Sequence, residues 1–283
     1  MSSKLPSGYT QLEYIQSSGN QYINSGVSGD SDIRTVMDFE FDAKGSGTVF
    51  AFGSQGTDSV RYTLALTSSG NFRSDYGTQM TTGPAAAIGT RYSIDKNRNV
   101  CKISGTPVSS SAQTFNGTTS IYLFARSYSS LSCSKGKLFF CKILKGDTLL
   151  RDFIPCKNAN GAVGLYDTVE GQFYGNAGTG TFAAGPEILP PAAPAGLHTV
   201  LAVVLQWAAS ANADRYDVYR DGAKLGSTEG TQYVDATPEA NQTYVYTVKA
   251  VNGGGESAGA SITVYTKSGY FEYKPLIESA NFP

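Results

Sequence analysis

Short runs of alternating apolar and polar residues, each closed by a cluster of Gly, Ser, Asn or Asp, recur along almost the whole chain, and this punctuation constrains the fold most. Side chains of an extended strand point alternately to its two faces. The segments "RTVMDFEFD" (34–42), "VRYTLAL" (60–66), "NFRSDY" (71–76) and "GKLFFCKILK" (136–145) therefore read as strands with one buried face. Further runs stand at 12–16, 21–24, 48–53, 91–96, 99–104, 120–126 and 148–156. No window of a dozen residues keeps an apolar repeat at helical spacing without a Gly or Ser interruption. The expected fold class is all-β: antiparallel strands in two sheets packed face to face.

A chain of 283 residues exceeds the usual single-domain size, so two cores are expected. With 40% hydrophobic residues, 18 Tyr and 14 Phe, the chain has ample material for both. Only 16% of residues are charged, which leaves Ser, Thr, Asn, Gln and backbone to make most of the polar surface. The net charge of −1 and the lack of any basic run argue against a nucleic-acid partner. No apolar stretch approaches the roughly 20 residues that span a bilayer, so membrane insertion is not expected. The start "MSSKLPSGYTQLEY" lacks the apolar segment of a signal peptide, and the expectation is a soluble product made in the cytosol.

Proline divides the chain. Four prolines crowd the stretch "GPEILPPAAPAG" (185–196), an extended, stiff linker. The expected organisation is a first sandwich over 1–186, a linker over 187–196, a second sandwich over 197–267, and a tail over 268–283.

The second module resembles a fibronectin type III domain. The resemblance rests on Trp207 at the end of "VLAVVLQW", on "YDVYRDG" (216–222), on "TQYVDATPEANQTYVYTVKAVNGGGESA" (231–258) and on the closing "VYT". It implies that Trp207 fills the core and that Tyr244, six residues after Pro238, bonds back to the preceding loop as a tyrosine corner. It also implies a spacer role, with partner recognition through loops as the alternative. The first module is similar to the concanavalin A-like or laminin G-like jelly-roll sandwich of phage and prophage tail and surface proteins. The carriers are "LPSGYTQLEYIQSSGNQYINSG" (5–26), "KLFFCKILKGDTLLRDFIPCKN" (137–158) and "GAVGLYDTVEGQFYGNAGTGTF" (161–182).

Within "DFEFD" (38–42), alternation puts Phe39 and Phe41 toward the core and Asp38, Glu40 and Asp42 in one acidic row. Laminarinase-like glucanases that share the sandwich alternate Glu-x-Asp-x-(x)-Glu on one strand, and here the acid types are exchanged. Same-face neighbours lie roughly 6.5–7 Å apart, which does not exclude a glycosidase pair. Catalysis would also need a carboxyl kept protonated by burial and a walled subsite, whereas "AKGSG" (43–47) reads as an exposed turn. A sugar- or cation-contacting row and a solvated strand face are the other readings.

Sugar recognition needs aromatic faces with planar hydrogen-bonding groups beside them. "FRSDYG" (72–77) and "ARSYSSLS" (125–132) combine these at expected sheet rims. The candidates are Arg73, Asp75, Tyr76, Arg126 and Tyr128.

The cysteines, Cys101, Cys133, Cys141 and Cys156, form no CxxC knuckle, and the one histidine, His198, is remote from them. Zinc is not expected, and free buried thiols are, with a Cys133–Cys141 bridge as the alternative. "GNAGTG" (175–180) lacks the Lys and following helix of a phosphate loop. No cofactor is implied, and calcium stays an open question. His198 has no acidic neighbour for a triad.

Together these expectations describe a non-enzymatic virion surface protein. It binds host-surface or mucus glycans through the first module and contacts other virion proteins, with self-association left open. A purely structural virion subunit and a glycan hydrolase are the alternatives. The tail carries Tyr270, Phe271, Tyr273, Leu276, Ile277 and Phe282 and reads as an anchor.

Overall fold

The computed structural model describes residues 5–128, 131–201 and 204–266, and every regular element among them is a β-strand. Two compact units emerge, one over Leu5–Ile188 and one that begins at Leu189.

The first unit is a two-sheet antiparallel sandwich. Six strands form one sheet in the order Ile23–Ser28, Ser120–Leu123, Val49–Thr57, Val60–Leu66, Asn71–Tyr76, Gln79–Ala85. The larger sheet centres on Ile33–Phe41, which pairs with Arg91–Asn97 on one side and Lys135–Lys145 on the other. Thr148–Lys157 and Val163–Asp167 extend it. Alternation explains the core between them. Met37, Phe39, Phe41, Ile94, Leu138 and Cys141 come from the large sheet, and Phe52, Tyr62, Leu64, Phe72 and Leu123 from the small one. Phe39 meets Phe41 and Phe124 edge-on at 4.9 and 5.3 Å, and each such buried ring contributes about 2–3 kcal/mol.

Two expectations on strands are corrected, and one strand had no counterpart in the sequence reading. The run 120–126 stops as a strand at Leu123, because buried Phe124 adopts a left-handed backbone with φ 66° and turns the chain out of the sheet. The run "VLAVVLQW" is not one strand: Ala195–Leu201 and Val204–Ala208 pair antiparallel, with Leu201 opposite Val204. The additional strand is Gln79–Ala85, at the edge of its sheet, where Gly83 and Pro84 weaken the strand signal.

All four cysteines are free, so the Cys133–Cys141 bridge is not made. Burial pushes the Cys101 thiol up to about 11 and raises Cys141 as well.

The second unit opposes Ala195–Leu201, Val204–Ala208 and Gln232–Val234 to a sheet of Ala223–Thr228, Arg215–Arg220 and Thr243–Asn252, with Gly255–Glu256 and Ala260–Tyr265 both on the last. That strand order is the fibronectin type III arrangement. Trp207 is buried in its core against Tyr216, at 5.3 Å between ring centroids. The Tyr244 hydroxyl accepts the Glu239 N–H at 3.0 Å, which makes the tyrosine corner. The tail residues Tyr270, Phe271, Tyr273, Leu276, Ile277 and Phe282 lie outside the described residues. No helix among the described residues is long and apolar enough to cross a membrane.

Candidate functional site

Alternation along Ile33–Phe41 places Phe39 and Phe41 in the core and turns Asp38, Glu40 and Asp42 to the opposite face. Each acid meets a partner there. Asp38 accepts from Arg91 at 2.7 Å, Glu40 from Lys137 at 2.6 Å, and Asp42 from the Gln16 amide at 2.7 Å. Lys137 lies directly opposite Glu40 in the register, which makes this a cross-strand ion pair. Arg91 also stacks on Phe139 at 4.0 Å, and Lys137 lies over Tyr14 at 5.3 Å. Arg91 and Lys137 thus pair with Asp38 and Glu40, while Asp42 holds a neutral amide with Lys137 3.9 Å away. Among the described residues no group of three or more His, Cys, Asp or Glu gathers as a metal site requires.

The non-core face of the six-stranded sheet differs. On Asn71–Tyr76, Phe72 and Tyr76 point into the core, so Arg73 and Asp75 point away from it. Tyr76 is therefore not a rim residue: it is 2% exposed, packs on Phe115, and donates its hydroxyl to the Ser31 and Gln113 carbonyls. Asp75 is also unavailable to a ligand. Its carboxylate is fully buried, takes a two-pronged contact from Arg73 at 3.0 Å, and accepts from Thr63 at 2.8 Å.

Beyond Phe124 the chain folds back onto this face. The Ser127 N–H donates to the Gly53 carbonyl, the Gln55 N–H donates to the Ser127 carbonyl, and Ser127 Oγ donates to the Ser120 carbonyl at 2.6 Å. Gly53 permits the approach, since a Cβ there would press on Thr63 and on the Cβ of Arg126. A one-residue bulge between Phe50 and Phe52 sends Phe52 into the core and leaves Phe50 on the other face, still buried. Arg126 lies over Phe50 at 4.5 Å and under Tyr128 at 4.8 Å, and donates Nη1 to Gln55 at 2.6 Å. Arg73 reaches the same Phe50 ring at 5.8 Å. Four of the five candidates thus converge, and Tyr76 does not.

Gln55 and Tyr128, the partners of Arg126, line a shallow depression of about 620 Å3 together with Tyr22, Tyr122, Ser127 and Leu131 among others. Tyr22 and Tyr122 stack at 4.7 Å with 23° between their planes. Burial, then Tyr122 and Cys133, raise the Tyr22 phenol above its ordinary value, so the ring stays neutral at physiological pH. Tyr128 and Leu131 are exposed at 39% and 51%. Sequence reasoning missed Tyr22 and Tyr122. The polar partners around "QYIN" and the outward position of Tyr122 in "SIYL" were the available signals, but their pairing is tertiary.

No family model matches the chain. It is similar to a poly(3-hydroxybutyrate) depolymerase of Ralstonia pickettii, 42% identical over 100 residues, which cover 33% of this chain and 19% of that protein. It is also similar to an alpha-amylase of Niallia circulans, 31% identical over 185 residues, which cover 50% of this chain and 14% of that protein. The chain therefore spans less than a fifth of the length of these curated relatives. Solved fibronectin(III)-like modules of Clostridium thermocellum CbhA align at a TM-score of 0.27 and 14% identity, over 52% of this chain and 77% of theirs. These relatives are polymer-degrading enzymes by name, and they overturn the reading as a virion surface protein for host or mucus glycans. They overturn its purely structural virion alternative equally.

Proposed function

We propose that this chain is a non-catalytic accessory region of a polymer-degrading enzyme, in which the first unit holds the polymer and the fibronectin type III unit serves as a spacer. The observation that carries the reading is the stacked Tyr22–Tyr122 pair, which lines an open depression together with the exposed Tyr128 and Leu131. Aromatic faces cover the C–H surfaces of a polymer repeat. A shallow surface suits a chain that passes across it. The lectin-like character expected of the first module belongs to this reading. The non-catalytic part is supported by the partners that occupy Asp38, Glu40 and Asp42 and by the small share of each enzyme that this chain matches.

The test is retention of the intact chain on insoluble polymers, chitin, starch granules and poly(3-hydroxybutyrate) film, together with assay of soluble fragments released. Retention on at least one polymer with no release is expected. Tyr122→Ala weakens that retention by about tenfold, the order of one well-placed aromatic contact. No retention on any polymer, or fragment release that Glu40→Gln abolishes, defeats the proposal.

A further inference from the structure

The charges beside the depression do not balance. Three arginines and two aspartates share this side of the sheet. Arg61 bonds to Asp58 at 2.7 Å, and Arg73 grips Asp75 with two nitrogens. Arg126 is left with a neutral partner, the Gln55 side-chain oxygen, and two aromatic faces. Its Nε is buried without any acceptor. Burial and the neighbouring Arg73 both disfavour the charged form of Arg126, and Asp75 offsets them only in part. An arginine does not give up its proton in a protein, so the charge stays and calls for a counter-charge.

Resting on the polymer-binding reading above, we propose that the polymer held here is anionic, a carboxylate-bearing saccharide whose carboxylate docks on Arg126 while its ring faces lie against Tyr128 and the Tyr22–Tyr122 pair. A planar guanidinium already clamped between Phe50 and Tyr128 is pre-organised for a carboxylate, and little side-chain freedom remains to be lost on binding. Asp58 does not oppose this strongly: it is 80% exposed and engaged by Arg61 and by the Gln55 amide. The alternative source of the same chemistry is the terminal carboxylate of a polyester, which supplies one anionic group per chain rather than one per repeat.

The experiment is affinity electrophoresis and calorimetry on the intact chain with polygalacturonate, a neutral glucan and oligomeric 3-hydroxybutyrate. Binding to polygalacturonate about tenfold tighter than to the neutral glucan is expected, the scale of one charge-assisted contact, with the difference shrinking as salt rises. Arg126→Gln removes the preference, read as the ratio of the two affinities within each protein, while Arg126→Lys keeps part of it; a thermal melt verifies that both variants fold. Equal affinity for the two saccharides, a salt-independent preference, or an unchanged preference in Arg126→Gln overturns the inference while the polymer-binding reading survives. Preference for the 3-hydroxybutyrate oligomer assigns Arg126 to the polyester end and overturns the saccharide. Failure to bind any of the three overturns the inference, and absence of retention on chitin, starch and poly(3-hydroxybutyrate) as well overturns both.

Discussion

Lys96 sits fully buried in the first sandwich, with Nζ on the Ser74 hydroxyl at 2.7 Å and over the Tyr62 ring at 5.1 Å. Burial lowers its amine below the ordinary 10.5, against the pull of Cys101 and Asp75. Between that lowered value and 10.5 the unfolded chain holds a proton that the folded chain has released, so stability rises with pH across that window. At lower pH the charged amine imposes its full desolvation cost. Lys96→Met is therefore expected to stabilise the protein at pH 7 by about 1–2 kcal/mol, with an advantage that narrows as pH approaches 10.5. Melting curves of both proteins from pH 6 to 10.5 check this, and a pH-independent difference would show that packing, not charge, governs the site. Nothing in "SIDKNRN" marks this lysine as internal, because its position follows from strand register and not from its polarity. Arg126 and Tyr128, by contrast, were legible as an arginine and an aromatic in one polar loop. Asp75 and Tyr76 were misread because a strand sends adjacent residues to opposite faces, and here both faces are covered.

At the scale of elements, close approach of backbones decides where the large sheet can tolerate change. Gly136 lies opposite Phe41, and a Cβ there would collide with the Glu40 carbonyl oxygen and the Phe39 ring. Gly136→Ala is expected to destabilise by about 1–3 kcal/mol in chemical denaturation, since strand and ring must both shift. In the second unit the tyrosine corner makes one identified bond, and Tyr244→Phe is expected to cost about 1 kcal/mol there. Strands with clean alternation, such as Val60–Leu66 and Asn71–Tyr76, stood where the sequence placed them. The turn at Phe124 was illegible, because left-handed backbone at a buried aromatic follows from the sandwich around it and has no local glycine signal. That turn is also what returns Arg126 and Tyr128 to the sheet face.

The whole molecule comprises a sandwich with an aromatic, unbalanced-positive surface and a second sandwich of fibronectin type III strand order. Fold class was readable from strand punctuation alone, whereas the virion role came from family resemblance and did not survive the similarity to a depolymerase and an amylase. The most direct measurement of the central claim is hydroxyl-radical footprinting of the intact chain with and without a retained polymer. The account predicts that Tyr22, Tyr122 and Tyr128 are protected together, while Tyr14 on the large sheet and Tyr219 in the second unit keep their reactivity. Protection centred on Tyr14 and Phe139, or none at the three tyrosines of the depression, would contradict it.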